Sequence, residues 1–215
     1  MSQADSVKEP PAYKNRIGYH AGLLAGIALV TSALLAIGSS QTKSEIAKRL
    51  DEDMRASIDM VLPRKLYDNN LLSDTVTMGT GDDKKLIYVA RKNKVPVAVA
   101  YQVVTIGYSG PIQIMLGINA KGEILGARVI SHTETPGLGD KIDAKKSNWI
   151  FSFTHKSLDN TTMAQFQVKK DGGQFDQFSG ATITPRAVVK GIREGLIFFR
   201  DKVKPAIFSQ TKHKV

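Results

Sequence analysis

Cysteine is absent from this chain of 215 residues. That absence excludes disulfides, thiolate metal sites and cysteine nucleophiles, and also iron–sulfur clusters held in the usual way on thiolates. Redox chemistry here would need a bound organic cofactor or a metal on other ligands. Long runs of one charge are missing too. The short basic pairs Lys84-Lys85, Lys145-Lys146 and Lys169-Lys170 lie far apart. The formal net charge of +10 therefore reads first as a solvated exterior, ahead of an anionic membrane surface or a nucleic acid. Without a basic patch interleaved with aromatics, nucleic acid is not expected as a partner. There is no internal repeat and no low-complexity tract. The hydrophobic share of 42% suffices for a core, and the length suits one globular domain plus something extra.

The something extra is one long apolar run. From Ile17 to Gly38 there is no Asp, Glu, Lys or Arg, and about 20 such residues in a helix cross the hydrocarbon core of a bilayer. A secretory signal peptide is the competing reading, with Ala36-Ile37-Gly38 as a small-residue cleavage site. The run exceeds the roughly 7–15 residues of a signal's apolar region, so a retained anchor is preferred. Lys8, Lys14 and Arg16 flank it on one side; Lys43, Lys48, Arg49 and Arg55 flank it on the other. These flanks give no clean positive-inside vote. Because the first helix usually sets topology, the amino terminus is expected inside and the large domain outside the cytoplasm.

Beyond the anchor, Ile46, Leu50, Met54, Ile58 and Leu62 recur every four residues and predict a helix that Pro63 ends. Four segments rich in Val, Ile and Tyr follow: 86–92, 96–105, 112–118 and 124–131. Turn signals at Lys92-Asn93-Lys94, Ser109-Gly110-Pro111 and Lys121-Gly122 separate them, so they read as an antiparallel meander. Residues 141–153 are expected to be helical around Trp149, and 166–169 to form a short strand. Val188, Val189, Ile192, Leu196 and Phe199 predict a last helix from Pro185 to about Lys202, with Thr184 as its cap and Pro185 in its first position. Strands followed by a helix give the α+β class.

Two segments carry chemistry. The first is Ser131-His132-Thr133-Glu134-Thr135-Pro136-Gly137-Leu138-Gly139-Asp140. A structural turn with solvated His132 and Glu134 is one reading of it. As metal ligands, His132, Glu134 and Asp140 match no known spacing, so no metal is expected. A hydrolase built on His132, Glu134 and Ser131 or Ser179 lacks a nucleophile-elbow pattern, and no catalytic residue is assigned. The second segment runs from Lys169 to Pro185 and contains Ser179-Gly180-Ala181-Thr182 just before the last helix. Small residues let a backbone approach a ligand closely, and free amides at a helix start favour a phosphate. An ordinary loop with a Thr184 cap explains the same residues.

Asp176-Gln177-Phe178-Ser179-Gly180-Ala181-Thr182 resembles the flavinylation motif of the FMN-binding domain family, with Gln177 where that motif often has glycine. The anchor, the 132–142 loop, the Val168–Gly173 run and the Ser179–Val189 run occur together and in order. Across nearly the whole chain this resembles the G subunits of Rnf-type ion-translocating electron-transport complexes. It is more distantly similar to the C subunits of sodium-pumping NADH:quinone reductases. The resemblance implies FMN joined by a phosphoester to Thr182, the ester being made by a flavin transferase. It further implies an electron relay among the other membrane and peripheral subunits of such a complex, with no independent catalysis. Ser179, Gly180, Ala181 and Thr184 would surround the phosphate. Glu134, Thr135, Leu138 and Gly139 would surround the rest of the cofactor, and Lys169 or Lys170 would face the reduced ring. Asp176 would serve the transferase.

The corresponding division is 1–15 as a cytoplasmic tail, 16–39 as a transmembrane helix in the lipid of a bacterial inner membrane, 40–80 as a helical connection, 81–205 as a periplasmic FMN-binding domain, and 206–215 as a tail. The alternative is a non-redox anchored module that helps a membrane complex assemble.

Overall fold

The computed structural model describes residues 17–81 and 84–209. The expectations for residues 1–15 and 210–215 lie outside them. The chain divides into two compact units, Met1–Leu50 and Asp51–Val215. Helix α1 spans Ile17–Asp59. In the first unit, its Ile17–Ile37 stretch is the one helical segment among the described residues long and apolar enough to cross a membrane. The side chains of Ile46 and Leu50 are outside the described set.

The second unit is built on a five-stranded antiparallel sheet in the order β1 (Thr75–Met78), β2 (Lys85–Lys92), β3 (Val95–Ile106), β4 (Pro111–Asn119) and β5 (Ile124–Ser131). This is the expected meander, with one strand more. The β2–β3 turn places Asn93 and Lys94 at φ 52° and 66°, the paired left-handed geometry that suits the twist of a two-residue hairpin. Register sets Val99 opposite Val89 and Ile118, and Leu116 opposite Tyr101 and Ala127.

Side chains alternate across the sheet, and both faces are covered. On one face Ile87, Val89, Val99, Tyr101, Ile114, Leu116 and Ile118 pack against helix α2 (Ile183–Phe198), which presents Val188, Val189, Ile192 and Leu196. The Tyr101 hydroxyl donates to the Gly195 carbonyl at 2.7 Å. The helix continues as a π-helical segment, Phe199–Phe208, which keeps Phe199 and Val203 in the core. On the opposite face lie Tyr88, Ala90, Ala98, Ala100 and Met115, covered by Ile58, Val61, Leu62 and Leu71. Met54 packs at the edge of this cluster, so the later members of the apolar stripe belong to the domain core.

Residues 139–178 differ from expectation. The predicted helix over 141–153 is instead two 3-10 turns, Gly139–Ile142 and Trp149–Phe153. Polar side chains between them capture the backbone groups an α-helix would use. Asp143 Oδ1 accepts the Lys145 amide at 2.9 Å, the Ser147 hydroxyl donates to the Lys141 carbonyl at 2.6 Å, and Ser147 Oγ accepts the Trp149 amide at 3.2 Å. The strand expected at 166–169 reduces to a single bridge between Val168 and Phe175. What orders this region is an aromatic cluster. Phe153 stacks on Phe175 with ring centroids 4.3 Å apart, and Trp149 stands edge-on to Phe153 and Phe178 at 5.3 and 5.2 Å.

Candidate functional site

Three loops meet at the start of α2. They are the β3–β4 hairpin, the loop leaving β5 and the turn at 178–181. Together they line a cleft of about 240 Å³, bounded by Tyr108, Glu134, Thr135, Leu138, Gly139 and the run Gly180-Ala181-Thr182-Ile183-Thr184.

Glycine geometry shapes each wall. The Ala181 amide closes a turn onto the Phe178 carbonyl at 3.2 Å, and Gly180 sits in it at φ 80°, a conformation that disfavours any side chain. In the facing loop, Gly137 at φ 78° lets the chain reverse, so that the Thr135 carbonyl accepts the amides of Leu138 and Gly139 at 3.2 and 3.1 Å. A Cβ on Gly139 would stand 2.9 Å from both Glu134 Oε2 and Thr184 Oγ1, so this wall closes only around glycine.

Glu134 ties the hairpin and the loop leaving β5 to the first turn of α2. It is 4% exposed. Its Oε1 accepts the Ser109 amide of the hairpin at 3.0 Å, and its Oε2 accepts the Thr184 hydroxyl. The Thr133 hydroxyl adds a second link by donating to the Ser109 carbonyl at 3.1 Å. His132 Nδ1 accepts the Glu134 amide at 3.2 Å, which fixes the ring beside the cleft rather than in it.

Thr184 is therefore not the cap of α2, contrary to the pattern-based expectation. The helix starts two residues earlier than such a cap allows, at Ile183, and Thr182 holds the cap position. The Glu134 carboxylate has captured the Thr184 hydroxyl, a long-range partner that no local pattern announces. Thr182, at the cap position, makes no side-chain capping hydrogen bond. The first amides of a helix have no intrahelical partner, and Pro185 brings none to lose. The positive end of the α2 dipole thus lies beside the Thr182 hydroxyl.

Of the expected site residues, Thr182, Gly180, Ala181, Thr184, Glu134, Thr135, Leu138 and Gly139 line this one cleft. Ser179 is exposed and does not line the cleft. Lys169 is also exposed and forms an ion pair with Asp176, Nζ to Oδ1 at 2.5 Å. Lys170 is exposed nearby, its amide on Gln177 Oε1 at 3.0 Å. A fork-to-fork pair, Arg186 to Asp171 at 2.6 and 2.7 Å, pins the 3-10 turn Lys169–Asp171 to the first turn of α2. Hydrogen bonding to Arg186 holds the Asp171 carboxyl below its ordinary range. Trp149 Nε1 donates to the Asp176 carbonyl at 2.8 Å, anchoring the motif to the aromatic cluster.

Two lining residues escape a reading of the sequence alone. Tyr108 is 71% exposed at the hairpin tip, and Ile183 opens α2. An aromatic beside a turn glycine, and an apolar residue between two threonines, are the signals the sequence offers for them.

Residues 107–197 match the family model of the FMN-binding domain, and that stretch contains every residue lining the cleft. The chain is thus one that carries an FMN-binding domain behind an apolar helix. Over its length it is similar to the G subunit of the ion-translocating oxidoreductase complex of Cereibacter sphaeroides, 47% identical over 180 residues that cover 83% of this chain and 82% of that one. The protein of the same name from Stutzerimonas stutzeri is 43% identical over 190 residues, covering 86% and 82%. Among solved structures, it is similar to the C subunit of the Na(+)-translocating NADH-quinone reductase from Parabacteroides distasonis, at 26% identity and TM-score 0.43 over 56% of this chain and 62% of that one. The chain belongs to the family of G subunits of ion-translocating oxidoreductase complexes.

Proposed function

We propose that this chain is a membrane-anchored flavoprotein that carries FMN in the cleft, joined through its phosphate to the Thr182 hydroxyl, and relays electrons between neighbouring subunits of an Rnf-type complex. The observation that carries the reading is the Thr182 side chain. It occupies the cap position of α2, where a threonine ordinarily bonds a helix amide, and makes no such bond. A hydroxyl left uncommitted beside a helix amino terminus is suited to a phosphoester, because the amides and the dipole there favour the phosphate's charge.

The remaining residues fit the group. Gly180 and Ala181 leave room for the phosphate at the backbone, since a Cβ on Gly180 would meet only Leu138, at 3.5 Å. Tyr108, Leu138 and Ile183 are partly exposed apolar side chains around the opening, surfaces on which a flat ring is desolvated. When bound, the flavin supplies the capacity to take up and release electrons, while the protein supplies position and electrostatics. Ile17–Ile37 would serve as the single-pass anchor in a bacterial inner membrane, with the domain on the periplasmic side and a flavin transferase making the ester. Ser179, Lys169, Lys170 and Asp176 are exposed, within reach of a transferase.

In-gel flavin fluorescence tests this reading. The full chain and Thr182→Ala would each be co-expressed with a transferase active on a control substrate. Fluorescence that survives denaturation in the parent and vanishes in Thr182→Ala is the expected result. A dark parent chain would overturn the relay reading in favour of an assembly module without flavin.

A further inference from the structure

We infer that Glu134 sets the reduction potential of the cofactor in this cleft, its buried carboxylate holding that potential down. The inference rests on the flavin reading above. Full reduction of a flavin adds two electrons and, near neutral pH, one proton from solvent. The ring system thereby gains one net negative charge, and a fixed negative charge in the same low-dielectric cleft opposes that gain.

Several observations give Glu134 this place. It is the only acidic or basic residue among the described residues lining the cleft. Both of its oxygens already accept hydrogen bonds, from the Ser109 amide and the Thr184 hydroxyl, an arrangement that suits the ionised acid. The space it fills is reserved on two sides. A Cβ on Gly107 would collide with Oε1, and one on Gly139 would lie 2.9 Å from Oε2. Two cations of the neighbouring motif are matched elsewhere, Lys169 with Asp176 and Arg186 with Asp171, and Lys170 is exposed and does not line the cleft. The dipole of α2 acts in the opposite sense, but it is common to every variant at position 134.

A purely structural Glu134 and a potential-setting one predict different behaviour. Midpoint potentials would be measured by spectroelectrochemical titration on the full chain with covalent flavin, for the parent, Glu134→Gln and Glu134→Asp. Glutamine keeps the shape and loses the charge; aspartate loses some of the packing and keeps the charge. At the parent's midpoint, Glu134→Gln is expected to raise the ratio of reduced to oxidised flavin about tenfold, which is about 30 mV for a two-electron couple. Glu134→Asp should stay much nearer the parent. The difference should persist in about 1 M salt, since a buried charge is poorly screened.

Equal shifts in Gln and Asp, or no shift in Gln with covalent flavin present, would overturn the inference and leave the flavin reading standing. A parent chain without flavin would remove both. If Glu134→Gln takes up no flavin, redox-difference infrared spectra of the unsubstituted holoprotein decide the matter. With 13C-labelled glutamate, a carboxylate band that shifts on reduction and resists exchange into D2O is expected. The absence of any such band would overturn the inference.

Discussion

The two faces of the sheet are filled in opposite ways. The face under α2 is made of large side chains, and its volume comes from Tyr101, Phe153, Phe166 and the β-branched residues of the strands. The other face is nearly bare where Ala90, Ala98 and Ala100 meet a pair of glycines, Gly117 and Gly126, opposite each other in register. There the covering is backbone: a Cβ on Gly117 would collide with the Val61 carbonyl oxygen. One face is a packed core that carries the cleft. The other is a flat seat for the turn that follows α1. The first should fail when volume is removed, the second when volume is added.

The largest effect is therefore expected at Phe153→Ala, about 3–5 kcal/mol lost in denaturant titrations of the full chain in detergent. Phe153 is fully buried, stacked on Phe175 and met edge-on by Trp149, so a cavity there also loosens the support of the 176–178 run. On the other face Gly117→Ala should cost about 1–3 kcal/mol, because the obstacle is backbone and yields little. A neutral Gly117→Ala would break the comparison, showing that the seat is loose. Tyr101→Phe is a smaller probe of the packed face. It removes one buried hydrogen bond to the Gly195 carbonyl, which still accepts the Phe199 amide, and about 1 kcal/mol is expected in the same titration.

The meander and the last helix are legible in the sequence because they rest on local signals. Asn93-Lys94, Ser109-Gly110 and Lys121-Gly122 mark hairpins, and Val188, Val189, Ile192 and Leu196 keep a helical period. The apolar residues from Ile58 to Leu62 are legible as a stripe, but not as the cover of a second sheet face. That role depends on Gly117 and Gly126, two residues distant in the chain whose importance lies in what they lack. The region 139–178 is the least legible, since its order comes from contacts among Trp149, Phe153, Phe166, Phe175 and Phe178 and from side chains that satisfy their own neighbours' backbone. At the cleft, the motif residues announce themselves through glycine and small-residue spacing. The partnership of Glu134 with Thr184 spans fifty residues, which is why local pattern makes Thr184 a cap and the fold does not.

The smallest expected effect concerns how the motif side of the cleft is fastened to the packed face. Asp171 and Arg186 join the 3-10 turn at 169–171 to the first turn of α2 through two exposed hydrogen bonds. Hydrogen bonding to Arg186 lowers the Asp171 carboxyl below its ordinary range in the folded chain. A carboxyl whose folded pKa is depressed binds more protons when unfolded, so its contribution is complete above its unfolded pKa and is lost as the pH falls through the folded one. The contribution is thus present at neutral pH and disappears only below the usual carboxylate range. Asp171→Asn should remove that acid-side slope from the stability–pH profile. The change at neutral pH should be slight, because the pair is screened by solvent. If instead Asp171→Asn lowered stability as much as Gly117→Ala does, the motif side would owe its order to this exposed clamp, and the aromatic cluster beneath it would be secondary.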